Sequence, residues 1–456
     1  MAEREFDVVV LGAGSSGEVC AGRVAGGGLE VAIVECELVG GECSYYACMP
    51  SKALLRPAEA LAETARVGGA AQRLTSTDPD PRATFERRDE VISNRDDSGQ
   101  LPWLEDRGIE LFRGRGAIEG QRKVRVGDDL LSARRAIVVA TGSTAAVPPI
   151  EGLSEAEHWT PREATTAEAV PEGLAVLGGG AVGAEMAQAW SSLGSSVTLI
   201  EAADRILSGE EPFASEQVAD GLRTAGVDLR EGAKASAVRR EDGQVTIELE
   251  GGGAVSASEL LVAVGRRPRV EAIGLESVGI EPGGYLDVDD QLRVGGRDWL
   301  YAVGDVNGRA LLTHMGKYQA RIAGDHILGK DVAAEAEAAG SPRVTFTSPS
   351  VAAVGHTLES AREEGIDARA VDVKTEGTAG ASFVGRNEPG TTRIVVDESN
   401  RTIVGATFVG PEVSDFLHAA TIAVTGRVPL DRLWHAVPTF PTRSEVWLKL
   451  LEEYGL

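Results

Sequence analysis

The sequence predicts an α/β chain in which two Rossmann-like dinucleotide-binding domains precede a C-terminal α+β domain. Three observations carry this prediction. One pattern occurs twice, as "FDVVVLGAGSSGEVCAGRVAGGGLEVAIVE" (6–35) and "GLAVLGGGAVGAEMAQAWSSLGSSVTLIE" (173–201). Further apolar runs ending in glycine turns recur at 134–143, 259–268 and 300–308. Beyond a polar stretch at 331–343 the pattern changes to the period-two alternation of antiparallel strands, followed by helical periodicity to the last residue.

Each copy of the repeat is an apolar strand, a G-x-G-x-x-G turn, an alanine-rich helix, a second apolar strand and a closing glutamate. The glycines are Gly12, Gly14 and Gly17 in the first copy and Gly178, Gly180 and Gly183 in the second. Gly17 to Glu35 and Gly183 to Glu201 are both 18 positions. The chemistry needs this spacing. The glycines make a tight turn and admit a pyrophosphate to the helix N-terminus, and the acid accepts from ribose hydroxyls.

The later elements follow in order. "RRAIVVATGS" carries Thr141 and Gly142, "ELLVAVGRRP" carries Gly265, and "LYAVGDVNG" carries Gly304 and Asp305 at its strand end. The polar stretch 73–98 reads as an excursion and 331–343 as a linker. "VTFTSPSVAAVGHT" and "TTRIVVDESNRTIVGATFVG" alternate like antiparallel strands.

Bulk properties bound the function. The chain has 456 residues, enough for about three domains, and a formal charge of −25. That charge repels nucleic acid and anionic membranes. No basic segment precedes an apolar core at the N-terminus, and no apolar run approaches a membrane span, so the expected compartment is the cytoplasm. Four cysteines in such a chain do not make a secreted disulfide scaffold. Cys20 and Cys36 lie on the first Rossmann helix and just after its second strand, where packing is the default.

Cys43 and Cys48 are different. They sit in "GGECSYYACMPSK" (40–52), with no second cysteine pair and no nearby histidine to complete a metal site, so redox chemistry is expected. Five positions on a regular helix turn through about 500°, which points the two side chains apart. A disulfide needs the Cβ atoms within about 4.5 Å. If the pair bonds, the backbone between them must depart from a helix.

These residues, in this order, resemble the pyridine nucleotide–disulfide oxidoreductases over essentially the whole chain. The most specific marker is the match of residues 40–52 to the family signature G-G-x-C-x4-C-x-P-S-K. The resemblance implies FAD in the first Rossmann domain and NAD, with NADP as an alternative, in the second. It implies domains at 1–150 and 271–335 for FAD, at 151–270 for NAD(P), and at 342–456 for homodimerisation. FAD contacts are expected from Gly12, Gly14, Gly17, Glu35, Gly41 and Lys52. Others are expected from Gly116, Ala117, Thr141, Gly142, Gly304, Asp305 and Thr313. The nicotinamide dinucleotide is expected on Gly178, Gly180, Gly183, Glu185, Glu201 and Gly265.

The resemblance also implies roles. Cys48 would hold a thiolate against the flavin, and Cys43 would exchange with the acceptor. Lys52 would lie near the flavin N5, partnered by Glu185. Glu201 favours NADH, since NADPH users place an arginine nearby; Arg205 is the competing residue. His314 is read as positional.

The departures are as informative as the matches. The family carries H-P-T-x-S-E near the C-terminus, where the histidine, held by the glutamate, protonates a leaving thiolate across the dimer. This chain reads Phe440-Pro441-Thr442-Arg443-Ser444-Glu445. General acid–base help is worth about 10²–10⁴-fold, so turnover on ordinary disulfides should be poor. His435 is the nearby substitute base. No cysteine follows Cys48, which argues against the C-terminal cysteine pair of mercuric reductases. Glu42 stands where the family has threonine beside the FAD pyrophosphate, and would repel it unless turned away. Tyr45 and Tyr46 either line an acceptor site or pack.

The expected function is therefore an FAD enzyme passing electrons from NADH through a Cys43–Cys48 disulfide to a small-molecule acceptor that needs little proton transfer. That acceptor would be a quinone, a metal ion or a low-pKa disulfide. The alternatives are a lipoamide-type reductase using His435, a transhydrogenase, and a redox-sensing flavoprotein. A resident metal, nucleic acid and membrane insertion are not expected.

Overall fold

A computed structural model describes residues 3–337, 340–385 and 390–456. The chain divides into two compact units, each built from three segments: Met1–Pro50, Arg88–Ala146 and Arg266–Glu337 in the first, and Ser51–Arg87, Val147–Gly265 and Ala338–Leu456 in the second.

The first unit is built on a seven-stranded sheet. Strand Glu3–Leu11 lies parallel between Val31–Glu35 and Asp129–Val139, and Ile109–Arg113 extends the parallel part beyond Val31–Glu35. Leu300–Ala302 joins Asp129–Val139 in parallel, and Lys123–Val126 and Gly116–Ile118 add an antiparallel edge. Successive side chains of a strand face opposite ways. Val9 and Leu11 accordingly enter one core cluster and Val8 and Val10 the other. Apolar clusters on both faces explain why the strand reads as a continuous apolar run.

The second unit contains the repeat of this design. Gly173–Leu177 pairs in parallel with Ser196–Ile200 and Glu259–Val262, and Asp228–Arg230 completes the four strands. Here Leu174 and Val176 face one cluster and Ala175 and Leu177 the other. Trp190, fully buried on helix Ala181–Ser192, packs its ring 6.0 Å from Phe85 and 5.5 Å from Trp159. The polar stretch 73–98 is more ordered than its composition suggests, since it contains the helix Pro81–Val91. The linker expected at 331–343 lies partly outside the described residues.

The alternating C-terminal segments form a five-stranded antiparallel sheet in the order Arg343–Thr345, Ser350–Gly355, Thr402–Gly410, Thr391–Asp397, Ala368–Lys374. Helices Ser414–Thr425 and Val446–Tyr454 supply Leu417, Ala420 and Leu450 to its core. Among the described residues no helix is long and apolar enough to cross a membrane.

The duplicated glycines are explained by close approach. Gly12 adopts φ +102°, and a Cβ there would sit 2.4 Å from the Ala140 carbonyl oxygen; a Cβ on Gly17 would sit 1.9 Å from the oxygen of Gly12. Gly178 adopts φ +103°, and a Cβ on Gly183 would lie 1.8 Å from the Gly178 oxygen. Any larger residue would push helix and strand apart at these points.

Candidate active site

Helix Gly41–Tyr45 holds Cys43 and ends at Tyr46, whose backbone (φ −135°, ψ −10°) is not helical. A new helix begins at Cys48 and runs to Arg66. Pro50 lies in its first turn, where the missing N–H costs nothing. The chain therefore breaks between the two cysteines, the departure from a helix that bonding of the pair would need. Both are half-buried thiols that hydrogen-bond each other.

The Cys43 thiol is held well above the ordinary range, first by its hydrogen bond with Cys48 and then by burial. Thr313 and Lys317 pull the other way. Cys48 Sγ lies 3.4 Å from Thr313 Oγ1. Thr313 opens the helix Thr313–Ile327.

The helix Ser15–Gly26 starts at Gly14 and has no side-chain cap, so its first N–H groups await an acceptor. Gly41 closes the wall opposite: a Cβ there would be 2.6 Å from Gly14 Cα. Glu35, 9 % exposed, accepts from Ala13 N and Glu37 N at 2.7 Å each. These are the features a dinucleotide needs: an uncapped helix N-terminus and a fixed acid at the next strand end. Gly116 and Ala117 begin the edge strand Gly116–Ile118. Thr141 Oγ1 donates to Arg269 O at 2.7 Å, and Arg269 N to Gly142 O at 2.9 Å. Gly304 N donates to Gln319 at 2.7 Å, and Asp305 accepts from Ser143 Oγ at 2.5 Å.

Glu42, expected to repel a diphosphate, is neutralised. Its two oxygens take Arg266 at 3.2 Å and Arg269 at 3.1 Å. Arg266 also donates to Ser143 Oγ at 2.6 Å and lies 3.6 Å from Asp305, so one ion network ties together three of the expected cofactor segments. Arg266, Arg269 and Ser143 carry no motif of their own and were not singled out in the sequence. Tyr45, only 3 % exposed and hydrogen-bonded to Gln100, packs rather than lining an open site.

The second dinucleotide site repeats the first. Helix Ala181–Ser192 starts, uncapped, at Gly180. Glu201 accepts from Gly179 N at 2.5 Å and Ala203 N at 2.6 Å. Arg205 is committed elsewhere: it donates to the carbonyls of Leu207, Ser208 and Glu210 at 3.3, 2.7 and 3.0 Å. Gly265, at φ +141°, has open space where a Cβ would be.

In the same unit Lys52 Nζ lies 2.5 Å from Glu185 Oε2. Glu185 is 4 % exposed and its other oxygen accepts from Phe346 N at 2.9 Å. The Phe346 ring sits 4.8 Å from the ammonium. Sequence reasoning missed Phe346 because it lies 161 residues from the carboxylate that binds it.

The C-terminal motif is not assembled as a catalytic pair. Phe440 is 72 % exposed and His435 is exposed. Glu445 Oε2 is buried without a hydrogen-bond partner, so the structure does not join His435 to that oxygen.

Comparison with known proteins follows this geometry. Residues 6–322 match the model of the family described as pyridine nucleotide-disulphide oxidoreductase, and residues 341–451 that of its dimerisation domain. The chain is 31 % identical to a dihydrolipoyl dehydrogenase of Haloferax volcanii, covering 98 % of this chain and 95 % of that one. It is 29 % identical to a mercuric reductase of Staphylococcus aureus (97 % and 81 %) and to a glutathione reductase of Burkholderia cepacia (99 % and 99 %). Among solved structures it resembles the Cu(II) complex of the HOCl-induced flavoprotein disulfide reductase RclA from Escherichia coli, with TM-score 0.87, 25 % identity and coverage of 98 % and 99 %. It also resembles LpdA from Mycobacterium tuberculosis, with TM-score 0.86, 25 % identity and coverage of 99 % and 100 %. The chain belongs to the pyridine nucleotide-disulphide oxidoreductases, enzymes that use FAD and NAD(P)H.

Proposed function

We propose that this enzyme passes electrons from NADH through FAD to the Cys43–Cys48 pair, and from the pair to an acceptor whose reduction takes up no proton, a metal ion such as Cu(II). The observation that carries the proposal is a complete Cys-x4-Cys dithiol in a chain that has Phe440 where the family has its proton-donating histidine.

Bound FAD would supply the ring that takes hydride from NADH and hands two electrons to the disulfide. The protein's residues do the rest. The uncapped helices at Gly14 and Gly180 would receive the two diphosphates. Lys52, held by Glu185, would place its positive charge where electron transfer builds negative charge. Glu201 would accept from the ribose hydroxyls and repel a 2′-phosphate, and Arg205, spent on carbonyls, would not offset that repulsion.

The acceptor step balances without a protein acid. Both thiols ionise, each sulfur gives one electron, the S–S bond forms, two Cu(II) become two Cu(I), and two protons pass to solvent. Reducing a disulfide substrate instead expels a thiolate that must be protonated. Thiolates suit Cu(I), and no cluster of three or more His, Cys, Asp or Glu that would retain an ion occurs among the described residues. The Cu(II) complex of the Escherichia coli protein, solved also for its C43S mutant, supports this choice of acceptor. Residues 341–451, matching the dimerisation domain, support a homodimer. The reading with His435 as base is the alternative, and it is not better supported, since no contact joins that ring to Glu445 Oε2.

The test is NADH-driven reduction by the purified holoenzyme of Cu(II), lipoamide and glutathione disulfide in parallel. The expected result is turnover with Cu(II) that far exceeds the other two and falls at least about tenfold in Cys43→Ser. Full Cu(II) turnover in Cys43→Ser would refute the proposal.

A further inference from the structure

We propose that Arg343 and Arg393, on two strands of the C-terminal sheet, are positioning residues for NADH: through Glu210 and Glu211 they hold the loop 202–211 against the glycine turn of the second dinucleotide site. This rests on the reading of that turn and Glu201 as the NADH site.

The loop is bonded to the turn on its inner side. Leu207 N donates to Gly179 O at 2.9 Å. A Cβ on Gly179 would sit 2.5 Å from Ile206 Cγ2, so the loop lies directly on the turn. Glu201, just before the loop, accepts from Gly179 N with one oxygen and from Ala203 N with the other. Turn, ribose acid and loop thus form one bonded piece. The loop does not keep this shape unaided. Leu207 adopts φ +46°, in the left-handed region that a bulky residue occupies only where its surroundings enforce it.

On the outer side the enforcement is ionic. Glu210 takes Arg343 on both oxygens, at 2.6 and 2.9 Å. Glu211, 2 % exposed, accepts from Arg393 Nη1 with one oxygen and from Leu358 N with the other, each at 2.8 Å. Arg343 begins the strand Arg343–Thr345, and Arg393 lies in Thr391–Asp397. Arg393 is itself aimed by Asp372, at 2.7 and 2.6 Å, and its guanidinium carbon lies 5.0 Å from the centre of the Phe213 ring. A buried carboxylate that loses its cation is driven toward water. Without Arg393, Glu211 would leave its seat and draw the loop off the turn. A second effect has the same sign. Arg343 and Arg393 cancel the charge of two acids beside a site that must admit an anionic dinucleotide. Both effects act on NADH binding, and neither involves the flavin or the cysteines.

Anaerobic stopped-flow of the holoenzyme tests this, since the rate of flavin reduction against NADH concentration gives a dissociation constant and a limiting rate. Arg393→Gln should raise the constant by about tenfold and keep the limiting rate within about twofold of native. Arg393→Lys, which keeps the charge, should recover most of the loss. Arg343→Gln, at a side chain 29 % exposed, should raise the constant too, and it carries the test if Arg393→Gln fails to fold. A limiting rate that falls as far as the affinity, or a loss that Arg393→Lys does not recover, marks general disruption and overturns the proposal. An unmoved constant in Arg393→Gln and Arg343→Gln, beside weakened NADH binding in Glu201→Gln, overturns the proposal alone. If Glu201→Gln also leaves the constant unmoved, the reading of this turn as the NADH site falls, and the proposal with it.

Discussion

Replacing Glu185 with glutamine tests how the enzyme holds Lys52. Lysine has a long flexible stem and three equivalent donors, so its direction must come from its surroundings. Here the carboxylate of Glu185 takes the ammonium at 2.5 Å and is itself fixed by Phe346 N at 2.9 Å, while the Phe346 ring lies 4.8 Å from the charge. Glutamine keeps the shape and an acceptor for Phe346 N but removes the charge. Breaking a fully buried pair costs about 3–5 kcal/mol, and an exposed pair is worth about 0.2–1 kcal/mol. Glu185 is buried but the Lys52 side chain is 36 % exposed, so the pair lies between those limits. About 1–2 kcal/mol corresponds to a factor of about 5–30. Anaerobic stopped-flow should therefore show flavin reduction by NADH slowed by about 5–30-fold, with Cu(II) reoxidation of the dithiol unchanged. Flavin reduction within twofold of native would refute the claim that Glu185 positions a working lysine.

Three further variants probe other parts of the account. Phe440→His, at a side chain 72 % exposed in the single subunit, should raise lipoamide turnover by about 10²-fold or more and leave Cu(II) turnover unchanged; steady-state rates on both acceptors decide it. On the proposal that the carboxylate, not Arg205, sets a preference for NADH, Glu201→Gln should raise kcat/KM for NADPH relative to NADH by about tenfold. Glu18→Gln should change apoprotein stability with pH. The Glu18 carboxyl is raised from 4.5 to about 7 in the fold, so its stabilising neutral form is complete below about pH 4.5 and lost as pH rises through 7. Denaturant titrations should show the variant equal to native near pH 4 and more stable above pH 7, by roughly 1–3 kcal/mol.

The parts legible in the sequence are those fixed by local geometry. Gly12 and Gly178 sit at φ +102° and +103°, a match that the repeated motif announces because only glycine tolerates the turn and the contact behind it. The break between Cys43 and Cys48 follows from their spacing only on the condition that the pair can bond, which the family signature implies. Resemblance, rather than spacing, pointed to Lys52 and Glu185, which lie 133 residues apart. What stayed hidden is set by long-range pairing. Nothing near Glu42 announces Arg269, 227 residues away, so its charge read as a liability when it is half of an ion network. Thr313 reads as a cofactor contact from its motif, and its approach to Cys48 spans 265 residues. Arg205 reads as a candidate for a 2′-phosphate until its three carbonyl partners are seen.

The central claim is that electrons leave the flavin through Cys43 and Cys48. Anaerobic titration of the holoenzyme with NADH tests it most directly. The account predicts that the first two electrons raise a long-wavelength charge-transfer band while the flavin absorbance persists, and that the next two bleach the flavin. Complete bleaching by the first two electrons, with no such band, would contradict it and take the cysteines off the path.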